Sequence, residues 1–223
     1  MNHSAAPADR SLRSRQNRYD ERRTQLAESA LTTLGELGYA RTSLRDIAQN
    51  SPFSHGVVHY YFKDKTDLIL HCVRHYKTRC MTRYDEVVDT ATTADELRRG
   101  FACKVAETLR DEAPMHRLWY DLRNQSMFDP SLRDDVSAID RGLRDMIDRV
   151  LTRYAELSGT TPRYDPDTAY ALLDGMFVAA LVAHLAERDR AATGAPTSDP
   201  PTTVPDRVRD NLFEILPDFL TAR

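Results

Sequence analysis

The stretch SLRDIAQNSPFSHGVVHYYFKDKTDLI, residues 43–69, decides how the chain folds. Leu44, Ile47 and Ala48 recur at helical spacing behind Thr42 and Ser43, either of which can cap a helix start. Asn50-Ser51-Pro52 ends that helix, because Pro52 disfavours helical torsions at Ser51. Ser54 then caps a second helix running through Val57, Val58, Tyr61 and Phe62. Lys63-Asp64-Lys65-Thr66 breaks the pattern again, and Asp64 can cap a long helix from about Thr66 to Val88. Two short helices, Ser43–Asn50 and Ser54–Tyr61, joined by a tight turn have helix-turn-helix dimensions. The second presents Ser54, His55, Val57, His59 and Tyr60 outward, while Val58, Tyr61 and Phe62 hold it down. Such a helix fits a DNA major groove, where hydroxyls, imidazoles and apolar groups reach base edges. Spacing alone also allows an ordinary helical hairpin with a solvated charged face.

Charge bears on the choice, although uneven surface charge with no partner fits it equally and the helix pattern has to decide. The net charge of -3 hides an uneven split. Residues 1–80 hold 13 Lys and Arg against 8 Asp and Glu, while the remainder holds 18 against 26. Five of the seven histidines also lie in the first part. A small basic module joined to a larger acidic one implies that only the first meets a polyanion. Arginines 10, 13, 15, 18, 22 and 23 supply a mobile arm and a helix start for phosphates, and Lys65 sits beside the next helix start.

The rest of the chain reads as helices. Residues 1–17 are polar and basic and read as a disordered arm, at whose end a helix begins near Arg15. It buries Leu26, Ala27, Ala30, Leu31, Leu34 and Leu37 and stops at Gly38-Tyr39. Further helices are expected over Asp95–Glu112, Met115–Met127, Ser131–Leu157, Asp167–Arg188 and Asp206–Leu220. Asp167–Arg188 is apolar nearly all round and so must be buried; Asp174 and His184 make it a poor membrane span. The expected fold class is all-α, with a DNA-binding domain over 18–66 and a larger helical domain over 67–223. Eight glycines in 223 residues argue against a turn-dense β-sandwich. Three cysteines, odd in number and never spaced C-x-x-C, argue against a disulfide scaffold or zinc ribbon and fit a reducing cytosol. The amino terminus shows no apolar secretory segment, so a cytoplasmic location is expected.

With these residues in view, Thr24–Val73 resembles the DNA-binding domain of TetR-family transcriptional regulators. Gly38-Tyr39, Thr42-Ser43, Ile47-Ala48, Ser54, Gly56, Tyr61-Phe62, Lys65 and Leu68 match that family's pattern in register. Ser51-Pro52 stands where the family has Ala-Gly, Phe53 where it has Val, and His59 where Tyr is usual. Imidazole can donate the phosphate hydrogen bond that the tyrosine makes. Met115–Pro130, the long helix after it and the segment ALLDGMFVAAL are similar to the ligand-binding domain of the BetI-like branch. The resemblance implies a homodimeric regulator whose last two long helices form a four-helix bundle with the partner. It also implies that effector binding shifts the fourth helix and the separation of the two recognition helices. A repressor on a palindromic double-stranded operator is the expectation, with an activator, or a helical ligand-binding or adaptor protein without DNA binding, as alternatives.

The expected DNA-binding residues are Arg22, Thr42, Ser43, Ser54, His55, Val57, His59, Tyr60, Tyr61 and Lys65. Candidates for an effector pocket are Phe101, Met115, His116, Trp119, Phe128, Met146, Tyr170, Asp174 and Phe177, most of which at helical spacing also serve as core. Their apolar and aromatic character points to a hydrophobic or aromatic ligand, oriented by His116, His184 or Asp174. Asp174 equally suits a satisfied helix–helix contact. His71 and His75 flank Cys72 at i, i+4, but no third ligand stands at helical spacing, so no metal is expected. No cofactor is expected either. No Walker loop, G-x-S-x-G or H-E-x-x-H appears, and Cys103 reads as a buried thiol with no base beside it in sequence, so an enzyme is not expected.

Overall fold

Gly38 ends the regular course of the first helix. In the computed structural model, which describes residues 7–194 and 202–221, α1 spans Pro7–Arg41 but Gly38 departs from helical torsions at φ 80° and ψ 173°. Only glycine takes that conformation without strain. The Thr42 hydroxyl donates to the Gly38 carbonyl at 2.7 Å and fixes the corner. The arm expected over residues 1–17 is therefore helical from Pro7 onward; residues 1–6 lie outside the described residues.

The turn that follows is built from caps. Ser43 and Asp46 form a reciprocal capping box at the start of α2 (Leu44–Gln49). Ser54 accepts from Val57 N at the start of α3 (His55–Tyr61). Between them Ser51 Oγ accepts from Phe53 N at 3.2 Å, so the turn closes without a residue at positive φ. Asp64 accepts from Asp67 N at 2.8 Å and caps α4 (Lys65–Cys80). Leu26, Ala27, Ala30 and Leu34 of α1 meet Ile47, Val58, Phe62, Leu68 and Ile69 in one buried core. Each large apolar side chain there stabilises the unit by about 1.5–3 kcal/mol.

The chain divides into two compact units, Met1–Tyr76 and Lys77–Arg223, so the division falls inside α4 rather than at residue 66. The helix expected to reach Val88 stops at Cys80, and a separate α5 covers Asp85–Thr90. No Gly or Pro marks that break. Just past it Arg83 donates to Thr108 Oγ1 at 2.7 Å and to Glu112 Oε2 at 2.5 Å.

The second unit continues with α6 (Ala94–Asp111), α7 (Ala113–Gln125), α8 (Arg133–Ser158), α9 (Pro166–Ala192) and α10 (Val204–Ile215). Thr93 with Glu96, Asp165 and Thr203 cap α6, α9 and α10. Gly159, at φ 66°, ends α8 with Thr160 N donating to Ala155 O. A two-residue antiparallel pair, β1 (Thr161–Pro162) with β2 (Leu220–Thr221), ties the α8 end to the chain after α10. Helix α10 packs on α6 and α9, and α8 packs on α9. α9 is largely uncovered by its own chain. Only 22% of its most apolar window is buried within the chain. Leu172, Met176 and Val182 lie on the outside, Val182 at 64% exposure. By length and composition α9 is the one described helix that could cross a membrane; the Arg123–Asp174 ion pair on it is costly in lipid.

Candidate nucleic-acid interface and ligand cavity

Helix α3 divides its side chains cleanly. Val58 and Phe62 are buried, whereas Ser54, His55, His59 and Tyr60 are exposed, Tyr60 at 73%. His55 and His59 stand edge to face at 4.4 Å, one turn apart. Tyr60 packs its ring edge-on to Tyr61 at 5.0 Å. Tyr61 is half-buried, with its ring 4.8 Å from that of Tyr19. Val57 and Lys65 are also half-buried, and Ser43 is exposed. Arg22 lies over the Phe53 ring at 4.8 Å, so the phenylalanine of the turn seats an exposed guanidinium.

Two expectations for this face need correction. Thr42 is buried and spends its hydroxyl on Gly38, so it shapes the corner rather than the surface. Arg23 is bonded to Asp67 at 2.5 Å and lies 4.8 Å over Phe62, so it clamps α1 to α4. His71 is kept neutral by burial and then by Arg23, which lower its pKa. Burial pushes the Cys72 thiol up, and its Sγ donates to Ala27 O. His75 pairs with Glu28 at 3.3 Å. Among the described residues no three His, Cys, Asp or Glu side chains gather to hold a metal.

Within the second unit lies a cavity of about 420 Å³, within the range of small-molecule sites. Phe101, His116, Trp119, Met146, Tyr170, Asp174 and Phe177 all line it. Met115 and Phe128 do not. Met115 is half-buried in the first turn of α7, and Phe128 is 84% exposed on the turn after that helix. His184 also lies off the cavity wall; it is buried, with Nδ1 3.9 Å from Glu187, and burial lowers its pKa. Cys103, expected as a buried thiol, is exposed.

Sequence reasoning missed the basic groups of this wall. Lys77 is only 2% exposed and lines the cavity with Nζ 5.0 Å from the Trp119 ring centroid. Burial pulls its amine down to about 8. Arg83 and Cys80 stand beside it on the wall. His116, 4.7 Å from Phe177 ring to ring, is held neutral by burial and by the nearby Lys77 and Arg83 charges.

Asp174 is not an idle carboxylate. It accepts from Tyr120 OH at 2.7 Å through Oδ1 and from Arg123 Nη1 at 2.6 Å through Oδ2. Arg123 also pairs with Asp140 at 3.4 Å, and Tyr170 OH donates to Asp140 at 2.8 Å. Burial raises the pKa of Asp140 and of both tyrosines. The chain thus runs Tyr120–Asp174–Arg123–Asp140–Tyr170 and joins α7, α8 and α9.

Comparison with known proteins converges on this arrangement. Residues 26–72 match the family described as bacterial regulatory proteins, tetR family, and residues 95–195 match the BetI-type transcriptional repressor carboxy-terminal domain. The HTH-type transcriptional regulator BetI of Burkholderia mallei is 31% identical over 170 residues, covering 70% of this chain and 80% of that relative. FadR from Bacillus subtilis, solved with stearoyl-CoA, shares the fold at TM-score 0.66 and 18% identity, over 86% of this chain and 96% of its own. A transcriptional regulator from Saccharomonospora viridis, solved with choline, does so at TM-score 0.65 and 21% identity, over 92% and 100%. A helix-turn-helix with an exposed recognition face, a helical second unit around a cavity and relatives of this kind leave one family: the chain belongs to the TetR family of DNA-binding transcriptional regulators and is not an enzyme.

Proposed function

We propose that the protein is a cytoplasmic homodimeric repressor that binds a palindromic operator through α3 and is released by a small hydrophobic or aromatic effector held in the cavity. One observation carries this reading. Helix α4 begins three residues after the recognition helix and ends with Lys77 and Cys80 in the cavity wall. A ligand that moves those two side chains acts on the helix that follows the DNA-reading element. A 100-fold loss of operator affinity needs about 2.7 kcal/mol of coupling, an ordinary size for allostery. Proteins of the same fold solved with stearoyl-CoA and with choline support a small-molecule ligand.

The uncovered side of α9, with Leu172, Met176 and Val182, supports a second copy as its cover. A two-fold dimer requires an operator of matching symmetry, with half-sites spaced by about 34–36 Å or a multiple. Selection of bound fragments from genomic DNA by the purified protein tests the proposal. A short inverted repeat bound by two copies, as measured by light scattering, is the expected result. Bound fragments without a shared repeat, or a monomer in solution, would count against it.

A further inference from the structure

The charged groups of the cavity discriminate between classes of effector. A cationic ligand such as a quaternary ammonium is held by aromatic faces and an acidic partner. Here Lys77 already covers one face of Trp119 with an ammonium. Phe101 and Phe177 meet Tyr84 and His116 edge to face, 4.8 and 4.7 Å away. Asp174 is the acidic side chain on the wall among the described residues, and both of its oxygens are engaged, by Tyr120 and Arg123. Against it the wall carries Lys77 and Arg207, together with Arg83, whose guanidinium is bonded to Glu112. Trp119 Nε1, buried with no hydrogen-bond acceptor, adds a donor on the side chain that Lys77 covers.

We infer that the effector is an amphipathic anion, an aliphatic or aromatic carboxylate whose head pairs with Lys77 and whose apolar body lies among Phe101, Met146, Leu173 and Phe177. This rests on the reading of the cavity as the effector site. The pairing brings opposite charge to a buried ammonium at a place where the low local dielectric makes it strong. The groups whose charges act on Lys77 include Cys80, Arg83, Glu112, His116, Asp140 and Asp174. Burial is the main influence on its amine, and Arg83 lowers it further, while Cys80, Asp174 and Glu112 act the other way. With the amine near 8, the ligand-free site holds its positive charge at neutral pH and loses it above.

The test uses the full-length protein with dodecanoate, 4-phenylbutyrate, dodecanol and choline as probes, followed by calorimetry and by the emission of Trp119, the single tryptophan. At pH 7 at least one carboxylate should bind and shift Trp119 emission. Dodecanoate should bind at least tenfold more tightly than dodecanol, with no saturable response to choline. Lys77→Met should fold, as helicity by circular dichroism reports, and should bind dodecanoate and dodecanol alike. Should that variant not fold, the wild-type protein decides: carboxylate affinity should fall about tenfold per pH unit above pH 8, and dodecanol affinity should not. No binding of either carboxylate, equal affinity for acid and alcohol, or tighter binding of choline would overturn the inference. Release from the operator by choline alone would keep the regulator and discard the anion. Carboxylate binding that leaves the operator complex intact would keep an anion site in the cavity and overturn its role as the effector site.

Discussion

The recognition helix α3 displays side chains that folding does not use, whereas the cavity is walled by side chains that folding depends on. His55, His59 and Tyr60 are exposed and could be exchanged with little change in the core beneath them, which rests on Val58 and Phe62. Trp119 and Lys77 are 1% and 2% exposed, and the same atoms that would touch a ligand touch the rest of the unit. Substitution therefore separates function from stability in the first unit and mixes them in the second.

The strongest challenge to that contrast is Trp119→Ala. Removing a buried indole should lower unfolding free energy by about 3–5 kcal/mol, measured by urea denaturation. A loss under 1 kcal/mol would mean that the cavity wall is as dispensable as the DNA-facing surface. Lys77→Met should act in the opposite direction. The folded amine sits near 8 against an ordinary 10.5, so from pH 8 to 10.5 the unfolded chain binds more protons and stability rises with pH. Below pH 8 both states are protonated and the full cost of the buried ammonium, about 3 kcal/mol, is present. The variant should be the more stable one at pH 7 by up to that amount, and should lack the rise above pH 8. Equal pH profiles would show that Lys77 is not a buried charge. In the first unit, Tyr60→Ala should keep stability within about 0.5 kcal/mol of wild type. Its operator affinity should fall by about 1–3 kcal/mol, read by fluorescence anisotropy. The smallest effect is sharpest in form: Lys65→Ala should weaken binding evenly across sequences and flatten the salt slope by about one unit.

The first unit was legible because its signals are local. The Ser43 and Ser54 caps, the Gly38 corner and the apolar triplets each lie within a few residues of what they control. The cavity was legible as a list of large apolar residues with His116 and Asp174 among them. Phe128 shares that chemistry but sits on a turn beyond the end of α7, where no helix carries it inward. Lys77 was missed because lysine reads as solvent-facing. Its position gave a signal nonetheless: it continues the buried stripe of Ile69, Val73 and Cys80 at spacings of three and four. The break after Cys80 had no local signal, and Arg83 just past it draws its partners from α6 and the residue just beyond that helix. The cover of α9 is not legible in one chain for a different reason. Apolar character says that a helix needs cover, not that one chain supplies it.

Helix α9 carries a second lesson in how its orientation is chosen. A rod that is apolar around its whole circumference has no preferred rotation about its own axis, because every face is equally willing to leave water. The polar chain through Asp174 removes that freedom. Tyr120 and Arg123 reach the Asp174 carboxylate, and Tyr170 reaches Asp140, in one setting of α9 against α7 and α8. Turning α9 by one residue, about 100° of helix, would carry Asp174 away from both donors. The Asp174 carboxylate would then be stranded in a partly buried site, and Arg123 would keep Asp140 alone of the two carboxylates. Greasy contact holds this helix in place, but three hydroxyl and charge partners, Tyr120, Arg123 and Asp140, tell it which way to face.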